Sequence, residues 1–434
     1  MPRLKNVLVL VTMLAALLAV AGCGSSSSNS SSSAAASASA GGSSSSSSTA
    51  ASSTAAGTSQ ASTGAAGSCG TIPTQMPADP DGVIAKLPKS VQATYNLLPQ
   101  PVYKSAWANW KPTHAGPYTI YFSPGNVSTP FIQGMLAEFN KLRAGSSVIT
   151  KVETQDSNNS VQTQIQQIQQ AIQQKVDLII ALPLSPAADA PVLEAAGKAG
   201  IPVIAPLNSA GSKYVVGING NVTLEGAYLG QQLASILDDK GSVLEMQGIP
   251  GVQSSDLLLK GAGDVFKNCS NISIAGSPVG QFTPSVAKAQ TLEFLTAHPQ
   301  TVNGAIQVGG MATGIIQAFM QTGRTVPTIA DSGATPGALA YWSQHKSTYK
   351  GVALGLPPGQ MADTTWKVAL ALLGGRGVKI SDLSEKPLII TDANLSQWVE
   401  PGWSLTTPIA YAPGPPNVFY PTSYLNQFFT KPAK

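Results

Sequence analysis

The sequence predicts an α/β protein of two lobes, each built on a parallel sheet. Short apolar runs begin near Tyr118, Val148, Val176 and Pro202, spaced by roughly 26–30 residues, with amphipathic stretches between them. That alternation is the βαβ rhythm of parallel sheets. The rhythm resumes from Ser242, after a break near residues 217–222 that marks the passage into a second lobe. Finally, Thr129-Pro130, Ser185-Pro186, Thr283-Pro284 and Thr335-Pro336 stand where helices are due to start. Ser and Thr hydroxyls cap the first free N–H groups of a helix, and Pro suits its first position.

In the first half, Leu178-Ile179-Ile180 and Val203-Ile204 are continuously apolar, as strands covered on both faces are. Ile132, Met135, Leu136, Phe139 and Leu142 share one helical face, and so do Val161, Ile165, Ile168 and Ile172. The glutamines around the second set, between Gln162 and Gln174, read as a solvated helix face. In the second half the expected order is strand 243–246, a helix toward Lys267, strand 272–275, helix 285–297, strand 305–308 and helix 314–321. Helix N-termini at the carboxyl ends of such strands are where open α/β sheets bind ligands.

The ends differ from this body. Arg3 and Lys5 precede an apolar run over residues 7–21, shorter than the ~20 residues of a membrane span. With Leu18-Ala19-Val20-Ala21-Gly22 before Cys23, the segment reads as an export signal. It resembles the bacterial lipoprotein signal, in which the Cys is acylated and becomes the mature N-terminus. An ordinary secretion signal is the alternative. Residues 24–68 are almost wholly Ser, Ala, Gly and Thr, too polar to offset ordering entropy. They read as a flexible tether or a glycosylated stalk. Residues 69–117 and 401–434 are rich in Pro and aromatics, among them Trp107, Trp110, Trp403, Tyr411 and Tyr420, and are expected to pack on the lobes. Export places Cys69 and Cys269 in an oxidising compartment, where an even count invites a Cys69–Cys269 disulfide. Two unrelated thiols are the other possibility.

Composition excludes several classes. The chain has 25 Lys+Arg against 21 Asp+Glu, and removal of Arg3 and Lys5 leaves 23 against 21. That near-neutral balance gives no footing for nucleic acid. There is no phosphate-cradling G-x-x-x-x-G-K-[ST] loop, no G-x-S-x-G elbow and no H-E-x-x-H. His114, His298 and His345 lie far apart in the sequence. No cofactor, metal or catalytic residue is expected. Gly309-Gly310-Met311-Ala312-Thr313-Gly314 is a glycine-rich turn that either lets backbone approach a ligand or is only tight.

From about residue 118 to 374, roughly 60% of the chain, the sequence resembles the ribose-type periplasmic binding proteins, the sugar receptors of ABC importers. The resemblance rests on Ser123…Thr129-Pro130-Phe131, Gly200-Ile201-Pro202-Val203-Ile204, Glu245-Met246-Gln247-Gly248-Ile249-Pro250-Gly251, Leu295-Thr296-Ala297-His298-Pro299, Asp331…Thr335-Pro336 and Gly355-Leu356-Pro357, in the family's order. It implies two Rossmann-like lobes joined by hinge strands, with crossings near 217–221, 351–357 and 387–390, and a ligand held between them. On that basis the expected organisation is a signal peptide over 1–22, an acylated Cys and linker over 23–68, and an extension over 69–117. Residues 118–220 with about 357–386 form the N-terminal lobe, 221–356 with about 387–400 the C-terminal lobe, and 401–434 a tail.

The implied site comprises Ser123, Asn126, Thr129, Phe131, Asn208, Asp256, Phe282, Gly309, Asp331 and Gly355. It departs from the sugar pattern. Leu207-Asn208 stands where the family has Asp-Arg, Asp256 where it has Arg, Val308 where it has Asn and Gly355 where it has Gln. A pocket stripped of hydroxyl partners favours a ligand with fewer hydroxyls, or one gripped differently. The resemblance implies a non-enzymatic, monomeric receptor, lipid-anchored on the outer face of a bacterial cell membrane. It would deliver a small solute to an ABC permease with a separate ATPase subunit. A same-fold receptor that signals to a sensor protein is the alternative.

Overall fold

The computed structural model describes residues 68–207, 209–218 and 220–431. The signal segment, Cys23 and the tether lie outside the described residues. Strands β1 (Tyr118–Ser123), β2 (Ile149–Thr154), β3 (Leu178–Ala181), β4 (Val203–Pro206) and β5 (Val215–Ile218) build a first sheet. Strands β6 (Lys240–Met246), β7 (Asn271–Gly276), β8 (Gly304–Val308), β9 (Thr328–Ser332) and β10 (Val352–Leu354) build a second. Two short strands, β11 (Asp382–Leu383) and β12 (Ile389–Ile390), complete them.

The first sheet runs β11-β5-β4-β3-β1-β2 with all neighbours parallel. The second runs β12-β10-β9-β8-β6-β7 and is parallel except for the β10–β12 pair. Both sheets therefore share one doubly-wound order. Each reverses direction once, between β1 and β3 in the first and between β6 and β8 in the second. The predicted α/β fold with two parallel-sheet lobes is what the structure has.

Among the described residues the helices, in chain order, begin with α1 (Lys89–Gln92). They continue with α2 (Pro130–Ala144), α3 (Val161–Gln173), α4 (Pro186–Lys198), α5 (Val222–Ile236), α6 (Gln253–Phe266), α7 (Pro284–Ala297), α8 (Ala312–Gln321), α9 (Pro336–Gln344), α10 (Pro358–Leu373) and α11 (Thr422–Asn426). The expected helix faces turn inward: Ile132, Met135 and Phe139 are buried in the first core with Phe122 and Trp366, while Leu136 and Leu142 are half-buried. On α3, Ile168 is buried and Val161, Ile165 and Ile172 are half-buried. Leu244, Ile306, Ile315 and Phe319 enter the second core. The chain passes between the two sheets at 218–222, 354–358 and 383–389.

Two expectations need correction. Thr129, Ser185, Thr283 and Thr335 do precede a Pro at the first helical turn, but none makes a side-chain cap. Thr129, Thr283 and Thr335 instead turn their hydroxyls onto the Asn126 carbonyl, the Gln281 carbonyl and the Asp331 carboxylate. Pro at the first position already removes one free N–H, so the fixed φ does the work alone. The glutamine face of α3 is not wholly solvated. Gln164 is fully buried. Its amide donates to the Ser123 hydroxyl (3.1 Å) and the Leu182 carbonyl (3.0 Å) and accepts from the Leu184 N–H (2.9 Å). It ties together the loops that follow β1 and β3, a use no helical period reveals.

The flanking segments pack on both lobes. Cys69 and Cys269 form a disulfide with Cα atoms 4.5 Å apart, and Gln231 of α5 donates to the Gly70 carbonyl (2.8 Å). Further along the extension, Asn221 donates to the carbonyls of Thr94 (2.8 Å) and Asn96 (2.7 Å) at the first passage. The Tyr95 hydroxyl donates to the Asp382 carbonyl (2.7 Å) at the third. Trp107 then reaches the first lobe through the Tyr214 carbonyl (2.8 Å). The tail meets the same third passage from elsewhere. There the Tyr420 N–H donates to Glu385 (2.7 Å) and the Tyr424 hydroxyl to the Ser384 carbonyl (2.5 Å).

Candidate functional site

Doubly-wound sheets bind ligands at the carboxyl ends of their strands, where the strand order reverses. Here two such points meet in one cavity of about 130 Å³. The first sheet contributes Pro124 and Asn126 after β1 and Leu182, Pro183 and Leu184 after β3. The second contributes Ile249 and Val252 after β6 and Val308 and Gly309 at the end of β8. The first turns of α2, α5 and α6 add Phe131, Val222, Glu225 and Ser254.

The cavity wall is predominantly apolar. Phe131 and Phe282 are joined by Tyr411, whose ring meets that of Phe131 edge-on with centroids 5.4 Å apart. Six polar side chains share the wall: Asn126, Thr129, Asn159, Glu225, Ser254 and Ser332. Glu225 is buried and is the one acidic side chain among the described lining residues, which include no Lys, Arg, His or Cys. Such a wall offers flat apolar faces for C–H groups and a few acceptors and donors that fix orientation.

Three of the twelve non-glycine residues with positive φ among the described residues line the wall. Asn159 (φ 62), Leu207 (φ 65) and Phe282 (φ 55) sit in the left-handed region, next to Gly309 (φ 69). For bulky residues such as Leu and Phe that conformation is an outlier, costing about 1–3 kcal/mol each, and such outliers cluster at ligand clamps. At Phe282 the surroundings enforce it. The ring lies over Gly248, where any Cβ would overlap it. Gly248 in turn is held by its N–H to the Ser255 hydroxyl (3.0 Å).

Of the expected site residues, Asn126, Thr129, Phe131, Phe282 and Gly309 line the cavity. Asn208 lies outside the described residues. Four others do not reach the cavity. Ser123 is buried beneath it, its hydroxyl taken by Gln164. Asp256 is exposed on α6, one residue past the turn that places Ser254 and Ser255 inward. Gly355 backs onto Trp398, and its neighbour Leu356 faces the cavity instead.

Asp331 is a support rather than a contact. Its carboxylate accepts from the Thr335 N–H (2.6 Å), the Thr335 hydroxyl (2.9 Å) and the Gln307 amide (2.5 Å). Gln307 then accepts from the Met311 N–H (3.0 Å), closing the Gly309-Gly310 turn. Burial pushes the Asp331 carboxyl up to about 6, against the lowering effect of those three donors. Sequence reasoning missed Asn159, Glu225, Ser254, Ser332, Leu356 and Tyr411. Tyr411 had a signal, since aromatics are frequent after residue 400. Glu225 had none.

Residues 120–377 match the periplasmic binding protein domain, more than half of the chain. The chain belongs to this family. The binding protein is 27% identical over 242 residues to the xylitol-binding protein of Mycolicibacterium smegmatis, across 54% of this chain and 67% of that one. It is 30% identical over 176 residues to the galactofuranose-binding protein of Escherichia coli, across 39% of this chain and 55% of that one. Among solved structures it resembles an ABC transporter solute-binding protein from Thermobispora bispora. That likeness has a TM-score of 0.61 and 23% identity, over 69% of this chain and 91% of that one. The family is one of extracytoplasmic solute-binding proteins, and the two-lobed fold with its inter-lobe cavity is consistent with that membership.

Proposed function

We propose that this protein is a receptor that closes two lobes on a small polyol or sugar and delivers it to an ABC import permease driven by a separate ATPase. The observation that carries the reading is the cavity where both sheets reverse their strand order. Its volume of about 130 Å³ is close to that of an engineered cavity that holds one benzene ring, so the ligand is on the scale of a single sugar or a short polyol. The names of the two curated relatives support a sugar or sugar alcohol. Leu207 and Val308, both lining the cavity, replace polar groups with apolar ones and favour a ligand that presents C–H groups on those sides.

Calorimetric titration and thermal shift with xylitol, D-arabinose and myo-inositol test this. A bound member of the panel at 100 times its Kd adds about 2.7 kcal/mol of stability. Phe131→Ala and Phe282→Ala are each expected to weaken that binding by about tenfold or more. A panel with no binder sinks the reading, and two variants that bind like the parent sink the site.

The same proposal places the mature protein, as a monomer, on the outer face of the membrane through acyl chains on Cys23, with residues 24–68 as tether. Leu18-Ala19-Val20-Ala21-Gly22-Cys23 supports it. More than one acyl chain is needed for stable anchoring. Cys23→Ser is expected to move the protein from the membrane fraction to the soluble fraction of cells or medium. Retention in the membrane fraction would remove the anchor from the proposal.

A further inference from the structure

The family match ends at residue 377, yet one wall of the cavity comes from beyond it. Tyr411 is buried and lines the cavity between the lobes. On the second lobe its ring occupies a slot cut by three glycines. A Cβ on Gly309 would stand 3.1 Å from the Tyr411 hydroxyl, one on Gly310 3.1 Å from Cζ and one on Gly333 2.9 Å from Cε1. Each is tighter than ordinary van der Waals contact, so side chains there would push the ring out of place. All three glycines have positive φ, at 69, 65 and 142°, so turn geometry and ring space demand glycine together. On the first lobe the ring meets Phe131 at the start of α2.

The backbone around Tyr411 is held from both sides. The Ala412 N–H donates to the Ala334 carbonyl (3.0 Å) on the second lobe. Gln360 of α10, packed on α2, donates to the carbonyls of Pro413 (2.8 Å) and Pro415 (2.9 Å). The same Gln360 accepts from the N–H groups of Val418 (3.1 Å) and Phe419 (3.2 Å). The tail thus crosses from one lobe to the other, and the crossing point carries the aromatic ring into the cavity. Burial and the nearby Asp331 charge raise the Tyr411 phenol, so its hydroxyl stays a donor at neutral pH.

We propose that Tyr411 is a specificity-determining residue: a wall supplied by the C-terminal tail that sets the length of polyol the cleft accepts. This rests on the receptor reading above and adds to it the residue that limits the ligand. A short polyol packs against the ring, while a longer chain meets it. Removing the ring opens the cavity toward the glycine slot and takes away an aromatic face.

Titration of xylitol and D-sorbitol into the mature protein and its Tyr411→Ala variant tests this. Xylitol affinity is expected to fall at least about tenfold, the usual scale for an aromatic anchor. The sorbitol-to-xylitol affinity ratio is expected to rise about tenfold as the longer chain gains space. Tyr411→Phe, which keeps the ring, should retain the parent's ratio. A Tyr411→Ala variant whose sorbitol-to-xylitol ratio matches the parent's overturns the proposal, whatever its xylitol affinity.

A parent that binds D-arabinose or myo-inositol but neither polyol overturns the polyol-length claim and leaves the receptor reading standing. If it binds none of the four, the receptor reading is what fails, and hydrogen exchange in the ligand-free protein decides the wall. Exchange over residues 309–313 and 332–335 should quicken in Tyr411→Ala and not in Tyr411→Phe. Unchanged exchange in Tyr411→Ala would show that the ring does not hold the slot.

Discussion

Gly226→Ala is expected to destabilise the protein by about 2–4 kcal/mol and to weaken ligand binding with it. Helices α5 and α6 cross through glycines. A Cβ on Gly226 would overlap the Leu258 carbonyl, one on Gly261 the Thr223 carbonyl, and one on Gly230 would lie 2.9 Å from the Ala262 Cα. The obstacles are backbone atoms, so no rotamer change relieves them. Alanine is favoured over glycine by about 1 kcal/mol in a helix interior, but forced overpacking costs about 1–3 kcal/mol and more where the partner is rigid. The clash wins. Since α5 carries Val222 and Glu225 and α6 carries Ser254 and Leu258, separating the helices also moves two walls of the cavity. Urea unfolding reads the stability and titration of a ligand reads the site. Gly263→Ala, also on α6 but with nothing within 4 Å, is the control and should be neutral or stabilising by up to about 1 kcal/mol. Equal midpoints for Gly226→Ala and the parent would show that the helices do not meet this closely.

Reducing the Cys69–Cys269 disulfide, or replacing both residues by Ser, is expected to cost about 2–5 kcal/mol. The bond closes a loop of 200 residues, and a long loop has the most chain entropy to lose on cross-linking. The loss should concentrate where the extension leaves α5 and α6, because Cys269 follows the end of α6 and Gln231 of α5 holds Gly70. Urea midpoints with and without a phosphine reductant measure it. If the midpoint does not move, the hydrogen bonds from Asn221, Tyr95 and Trp107 to or from the extension hold it without help from the sulfur bridge.

The fold was legible because strands covered on both faces leave an unmistakable mark. Leu178–Ala181 and Val203–Pro206 are buried at every position, and their sequences are correspondingly unbroken apolar runs. Helices α2 and α3 show one apolar face each and were found by it. Helix α5 was not, because it is buried nearly all round, from Val222 through Ala234. A helix without a polar face has no 3.6-residue contrast to detect.

The site was legible only in part. Phe131, Phe282 and Gly309 were reached because the order of motifs along the chain follows the order of strand ends around the cleft. Ser123 and Asp331 looked equally suitable, but each is consumed by neighbours: Ser123 by Gln164 from α3, Asp331 by Gln307 and Thr335. A buried polar group has to be hydrogen-bonded, and residue type does not say whether its partner is a ligand or the protein. Asp256 fails for a simpler reason. Near the start of a helix, one residue's shift turns a side chain by about 100° and takes it from cavity to solvent.

The linear order of residues, by itself, determined the α/β class, the two-lobed repeat and the aromatic composition of both ends, since each follows from local periodicity or local composition. The tertiary structure alone decided which side chains share a surface. It brought Glu225, Ser254 and Tyr411 to one cavity with Phe131 and Phe282 and withdrew Ser123, Asp331 and Gly355 from it. The physical reason is that hydrogen-bond satisfaction and close packing are settled between neighbours in space, and the neighbours here come from distant strands, a glycine-lined helix crossing and a tail beyond the last hinge.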